Sequence, residues 1–369
     1  MSKKNKNVPA PEQENEAVKQ PEKKKKKGSA FGRFLRRFFL LLITILLILA
    51  VDLYLVLDLV FNGPSEAACK SLTMSLSQIS VTKWVPDLFL GAERVAEIRD
   101  SMEAQLPDSM TDPSLVVVNP DASPSEWTKA PDGIRLETYN WGTFQAHILL
   151  VRDPAQVIMG TSDQELSGSL LTDAMAADAG VMAAVNAGAF TVDEATGKTV
   201  PAGLIYASGE KCWDANQNLV SQKGFAGFNR DNILIVATGM TGAEAEAQGI
   251  RDGCAYGPVL IVNGEVNMDA YNANSGYSSR TAIGQRADGC VVFVVIDGLK
   301  TGSLGATCQD LTDILIEYDV VNACSMDAAA SVMMYREAGE IRRVSNDALL
   351  SAQESKLPNY WMVRATGKE

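Results

Sequence analysis

Histidine is almost absent from this chain: His147 is its one histidine in 369 residues. A His-rich metal site cannot be built from it, and a Ser-His-Asp triad could use no other imidazole. His147 lies in the strand-like run Thr143 to Val151, where a structural role outweighs a catalytic one. Cysteine is nearly as sparse. The six at positions 69, 212, 254, 290, 308 and 324 show no C-x-x-C and no zinc spacing. In an exported domain they could close up to three disulfides, with 15 pairings open, or they could serve as small buried residues. Basic residues are outnumbered over most of the chain. Residues 1–37 hold twelve Lys/Arg and four Asp/Glu, a net of +8, so the rest must carry −20 for the whole to reach its formal −12. A body that acidic excludes nucleic acid as a partner, because a phosphate backbone demands basic surface.

What is present at the amino end is a low-complexity basic head, with an unbroken lysine run from Lys23 to Lys27. Such a head is expected to be disordered. Residues 38–61 follow, apolar except for Thr44, Asp52, Tyr54 and Asp58. About 20 apolar residues span a bilayer core, so the run is read as a transmembrane helix, with Asp52 its costly position. The basic residues before it, including Arg33, Arg36 and Arg37, place the amino end in the cytoplasm. The expectation is a single-pass protein of the cell membrane with its main domain extracellular. A cleaved signal peptide is the other reading, and Ser65-Glu66-Ala67 offers it a small-x-small site.

Residues 62–131 are read as stalk and linker, with a helix over Arg94 to Leu106 and five prolines between Pro107 and Asp132. The globular domain is read as residues 132–369. Strands are expected at 134–139, 143–152, 157–160, 181–185, 204–207, 225–229, 233–237, 259–262, 281–284, 291–296 and 320–326. Helices are expected at 170–177, 241–252 and 307–318. Many strands with few interposed helices argue for an α+β fold, a mixed and largely antiparallel sheet with helices on its faces. Cys290–Ile296 is apolar on both alternations, which predicts a central strand covered on both sides. Two segments, 203–210 and 258–265, read as hairpins turning at Gly209 and Gly264.

Asp288-Gly289, set between two strand-like runs, reads as a two-residue hairpin loop. Counting outward from it puts Arg280 opposite Asp297, and Asp327 follows the next strand-like run. An arginine and two carboxylates at converging strand ends suggest a site for an anionic, phosphate- or sugar-bearing ligand. Simpler readings stay open. Arg280 and Asp297 could be a plain cross-strand ion pair, Asn186 could satisfy a turn, and Asp327 could cap a helix over Ala328–Tyr335.

Four segments together resemble the phosphodiester glycosidase family, the family of N-acetylglucosamine-1-phosphodiester alpha-N-acetylglucosaminidase and of many bacterial envelope proteins linked to exopolysaccharide. They are Asn186-Ala-Gly188-Ala-Phe190, Tyr256-Gly257-Pro258-Val-Leu260, Arg280-Thr-Ala-Ile-Gly284 with Asp297-Gly298, and Met326-Asp327-Ala-Ala-Ala-Ser331. Order and spacing agree over residues 132–365. The chain departs from the family where Asp-Gly-Gly-Gly has become Asp327-Ala328-Ala329-Ala330, and where Ala187 and Ala189 replace Gly and Phe. Alanine resists a positive φ by about 1–2 kcal/mol and puts a methyl group where a backbone amide would meet an anion.

The resemblance implies a membrane-anchored hydrolase of sugar-1-phosphodiester linkages in envelope or exopolysaccharide glycans. Asp297 and Asp327 would be its catalytic carboxylates. Arg280 would clamp the phosphate, and Asn186, Gly188, Gly257, Gly298 and Ser331 would bind substrate. The partner is then a glycan or phosphoglycan, and the membrane through residues 38–61. No cofactor is demanded; carboxylates of this kind could hold Ca²⁺ or Mg²⁺, yet no ligand loop spells one out. The competing expectation is a non-catalytic phosphoglycan-binding module of the same fold. Oligomeric state is not legible in the sequence.

Overall fold

The computed structural model describes residues 30–77, 82–101, 110–122, 125–215, 224–273, 275–300, 303–328, 331–346 and 354–365. The basic head, apart from its last residues, lies outside the described residues, as do Ala329 and Ala330. The chain divides into two compact units, residues 1–56 and 57–369. The first is carried by a helix, Ala30–Phe61, whose stretch Phe34–Phe61 is long and apolar enough to cross a membrane. At about 1.5 Å per residue its 28 residues reach roughly 42 Å.

Three antiparallel sheets make the body of the second unit. The largest has seven strands in the spatial order Ile134–Asn140, Gln145–Val151, Val291–Ile296, Arg280–Arg286, Val320–Met326, Val259–Val262, Glu265–Val266. A second runs Leu234–Ala237, Phe225–Asn229, Ile250–Ala255, Leu204–Ala207, Glu210–Asp214. The third runs Glu340–Asn346, Val332–Glu337, Val181–Asn186, Asn359–Arg364, Val157–Thr161. Their inner faces meet in one apolar centre, where Leu149, Phe293 and Ile283 of the first sheet pack with Phe228 and Ala226 of the second and Val185, Met333 and Trp361 of the third. The helices cover outer faces. Cys308–Glu317 lays Leu311, Ile314 and Leu315 on the far side of the large sheet, and Leu171–Ala177 lays Leu171 and Met175 on the third. Each such fully buried side chain contributes about 1.5–3 kcal/mol, so packing outweighs the roughly 1 kcal/mol of the capping box at Thr307 and Asp310.

Strand Val291–Ile296 is central and fully buried, as its two-sided apolar pattern predicts. Residues 203–210 and 258–265 do turn at Ser208-Gly209 and Asn263-Gly264, all four with positive φ, the signature of the mirror-image turns that match strand twist. All six cysteines are free thiols, and only Cys212 is exposed. Two helix expectations are corrected. The expected helix 241–252 ends at Ala247, because Gly249 turns left-handed (φ 66°) and Ile250–Ala255 enters the second sheet. Past Asp327 the expected helix gives way to a strand: the described residues Val332–Glu337 pair with Val181–Asn186.

The central hairpin departs from expectation by one residue, and the departure matters for the site. Arg286 and Cys290 close a three-residue loop: Gly289 N–H donates to Arg286 O at 3.0 Å, and Gly289 takes φ +93°. Arg280 therefore faces Ile296, not Asp297. The Asp-Gly pair signalled a two-residue loop, but the loop is held from outside. Val117 and Asn119 donate their backbone N–H groups to the carbonyls of Ala287 and Asp288, and Asp288 ties back to Arg286 at 2.9 Å. A one-residue slip sends every side chain to the other face of the sheet. A methyl group at Gly289 would lie 2.9 Å from Val118 Cα, so Gly289→Ala should cost at least about 1–2 kcal/mol from its φ alone. A thermal melt that leaves Tm unchanged would contradict this account of the loop.

Candidate active site

Antiparallel pairing brings strand beginnings and strand ends to one edge. Asn186 ends Val181–Asn186, Asp297 follows Val291–Ile296, and Asp327 follows Val320–Met326, while Arg280 opens its strand and Ser331 precedes Val332–Glu337. All five are buried, none more than 7% exposed.

Asn186 is the joint between two sheets. Its amide N–H₂ donates to Asp327 O at 2.7 Å, and its Oδ1 accepts from Val332 N at 3.0 Å and from the Thr281 hydroxyl at 2.9 Å. Thr281 Oγ1 also lies 2.9 Å from Ser331 Oγ, which sits 3.2 Å from Ala328 O. Ser279 reaches the same carbonyl at 2.7 Å, and Asp327 N–H donates to Ala187 O. The segment carrying Asp327 is thus pinned from both sides through its backbone.

The corrected register separates Arg280 from Asp297. Thr281 pairs with Met326, so one further step sets Arg280 opposite Asp327, on the face of the sheet that the helix Cys308–Glu317 covers. The guanidinium braces loops: Nε donates to Ala306 O at 3.0 Å, and Nη2 to Ser275 O and Gly276 O at 3.0 and 2.9 Å. Tyr256 joins this side. Desolvation raises its phenol well above the usual range, the charge of Asp327 adds to the rise, and that of Arg280 opposes it.

Asp297 leaves on the opposite face, with its carboxylate fully buried. His147 faces Val295 across the neighbouring strands, two residues from Asp297 on the same side. Its Nε2 lies 3.3 Å from Asp297 Oδ2, and its Nδ1 lies 3.1 Å from Thr138 Oγ1. Lys300 also contacts Asp297 Oδ2, and its side chain is 30% exposed. Ser303 Oγ donates to Asp297 O at 2.8 Å.

The candidate glycines divide by surroundings. Gly188 is closely packed: its N–H donates to Asn359 Oδ1 at 2.8 Å, and an added methyl would meet Cys254 Cβ at 3.1 Å. Gly298 is buried behind Asp297, and Gly257 is half-buried beside Tyr256. Among the described residues no three His, Cys, Asp or Glu side chains converge as a metal ion would need. Sequence reasoning missed Lys300, Thr281, Ser279 and Tyr256 as neighbours of the site, and it set His147 aside. Lys300 had a legible signal, standing three residues beyond Asp297. The others depend on register.

Comparison with known proteins bears on the fold and the family. The chain shares its fold with the zebrafish N-acetylglucosamine-1-phosphodiester alpha-N-acetylglucosaminidase catalytic domain auto-inhibited by its pro-peptide. The TM-score is 0.52 at 15% identity, covering 70% of this chain and 88% of that one. It is 27% identical over 103 residues to the SPbeta prophage-derived uncharacterized protein YomE of Bacillus subtilis (strain 168). That match takes in 27% of this chain and spans only 16% of the length of YomE. The family model for phosphodiester glycosidase matches residues 179–364, half the chain and the stretch holding Asn186, Arg280, Asp297 and Asp327. This chain belongs to the phosphodiester glycosidase family.

Proposed function

We propose that the protein is a membrane-anchored hydrolase that cleaves sugar-1-phosphodiester linkages in cell-envelope or exopolysaccharide glycans, outside the cytoplasmic membrane. The observation that carries this reading is the gathering of Asn186, Asp297 and Asp327 at one edge of the sheets, with the backbone around Asp327 held by Asn186 and Ser279. Asp327 and Asp297 reach the same strand-end edge from opposite faces of the large sheet. A substrate lying across that edge meets one carboxylate from each side for acid, base or nucleophilic work at the anomeric carbon. The division of labour among the cations changes with the geometry. Arg280 contributes charge beside Asp327 while its donors brace loops, and the partly exposed Lys300 is the cation able to reach a phosphate. Gly188, Gly257, Gly298 and Ser331 shape the surrounding backbone.

The second reading, a phosphoglycan-binding module without turnover, is favoured by one observation: the Arg280 Nε and Nη2 donors are committed to carbonyls, so a two-pronged phosphate clamp has lost its fork. The test is reducing-sugar release by the full chain from a panel of sugar-1-phosphodiesters, run beside equilibrium binding of a phosphoglycan. Turnover supports the hydrolase. Binding that survives Asp327→Asn with no turnover in the parent protein supports the module.

The anchor reading rests on the apolar helix Phe34–Phe61 and on the basic residues before it. Protease added to spheroplasts should digest the main domain and spare the head. Recovery of the whole domain in the medium, cut near residues 62–70, would show a cleaved signal instead.

A further inference from the structure

We infer that His147 is a positioning residue for Asp297: its Nε2–H, acting with Lys300, fixes the orientation of the buried carboxylate, and Thr138 fixes the ring. The inference rests on the reading of Asp297 as a site carboxylate, but its geometry stands independently. The ring is 3% exposed, and both of its nitrogens have partners, Asp297 Oδ2 at 3.3 Å and Thr138 Oγ1 at 3.1 Å. An ionised carboxylate accepts only, so the nitrogen facing Asp297 carries the proton. The neutral ring must then accept at Nδ1, where the Thr138 hydroxyl can donate. That hydroxyl can equally accept from a charged ring, so His147 keeps both bonds in either state.

Three strands share this chain of contacts. Thr138 pairs with His147, and His147 pairs with Val295, which places the three polar side chains in a row across Ile134–Asn140, Gln145–Val151 and the end of Val291–Ile296. Lys300 approaches the same oxygen, Oδ2, from the loop. With two donors on one oxygen, the carboxylate cannot turn freely. Thr138 and His147 lie outside the family-matched residues 179–364, so this support is supplied by strands the family match does not include.

The single histidine makes the test direct. With histidine labelled in carbon and nitrogen, the full chain in nanodiscs gives one imidazole signal, and its two nitrogen shifts report the tautomer. The expected result is a ring protonated at Nε2, with that proton protected from exchange, and loss of the protection in Asp297→Ala. A neutral ring protonated at Nδ1 and bare at Nε2, or protection unchanged in Asp297→Ala, overturns the inference whether or not the protein turns substrate over. On the reaction itself, His147→Leu should lower kcat about tenfold to a hundredfold with KM little changed, as misplaced reacting groups do. His147→Gln, which can offer an N–H at a similar reach, should restore kcat to within about threefold. Equal kcat in the parent and His147→Leu would also overturn it. Absence of turnover in the parent would instead strike at the hydrolase reading and leave the ring measurement to decide this one.

Discussion

Replacing Arg280 by Met is expected to lower stability by about 3 kcal/mol or more. The side chain is 4% exposed and holds the carbonyls of Ser275, Gly276 and Ala306. Each buried acceptor left without a partner costs about 1–3 kcal/mol. Methionine restores none of the three bonds, and of the three carbonyls Ala306 O keeps a second donor, Ser278 N–H at 3.2 Å. These carbonyls belong to the loops flanking the site, so the loss is structural before it is chemical. Arg280→Lys keeps the charge but not the planar fork, and should recover only part of the difference. Denaturant unfolding measures this directly. If Arg280→Met matched the parent in stability and lost only substrate affinity, the bracing role would be wrong and the phosphate clamp would return.

Asp327→Asn is expected to reduce kcat by about 10²- to 10⁴-fold with the fold intact. Two bonds that hold its segment run through the backbone, N–H to Ala187 O and carbonyl from Asn186, and both are indifferent to the side chain. An amide can neither take nor give the proton that cleavage needs. Steady-state kinetics on the parent and the variant, with a melt of each, separate the two roles. Unchanged kcat would remove Asp327 from the chemistry.

Much of this architecture was legible because burial leaves a plain pattern. Val291–Ile296 and Val320–Met326 are found to the residue, since apolar side chains on both alternations admit little but a covered strand. For the candidate site, the strand-end positions of Asn186, Asp297 and Asp327 were readable too. What failed was one residue of register. The Asp288-Gly289 signal is local, whereas the loop is set by Val117 and Asn119, some 170 positions away in sequence. That slip moved Arg280 away from Asp297 and put His147 and Lys300 in its place. Strand Ile250–Ala255 was hidden for a related reason: the helix-forming alanines and glutamates before it run on in pattern until Gly249 turns the chain. Strand Val332–Glu337 was hidden by the alanines before it, which suggest a helix in sequence, whereas Val332–Glu337 itself pairs with Val181–Asn186 and Glu340–Asn346.

The measurement that bears most directly on the central claim is the identity of the products. A sugar-1-phosphodiester of defined aglycone, incubated with the full chain, should yield free reducing sugar and the aglycone phosphomonoester in equal amounts, because the bond broken is the one at the anomeric carbon. Sugar-1-phosphate with free aglycone alcohol, or no cleavage of any substrate by a folded protein, would contradict the account.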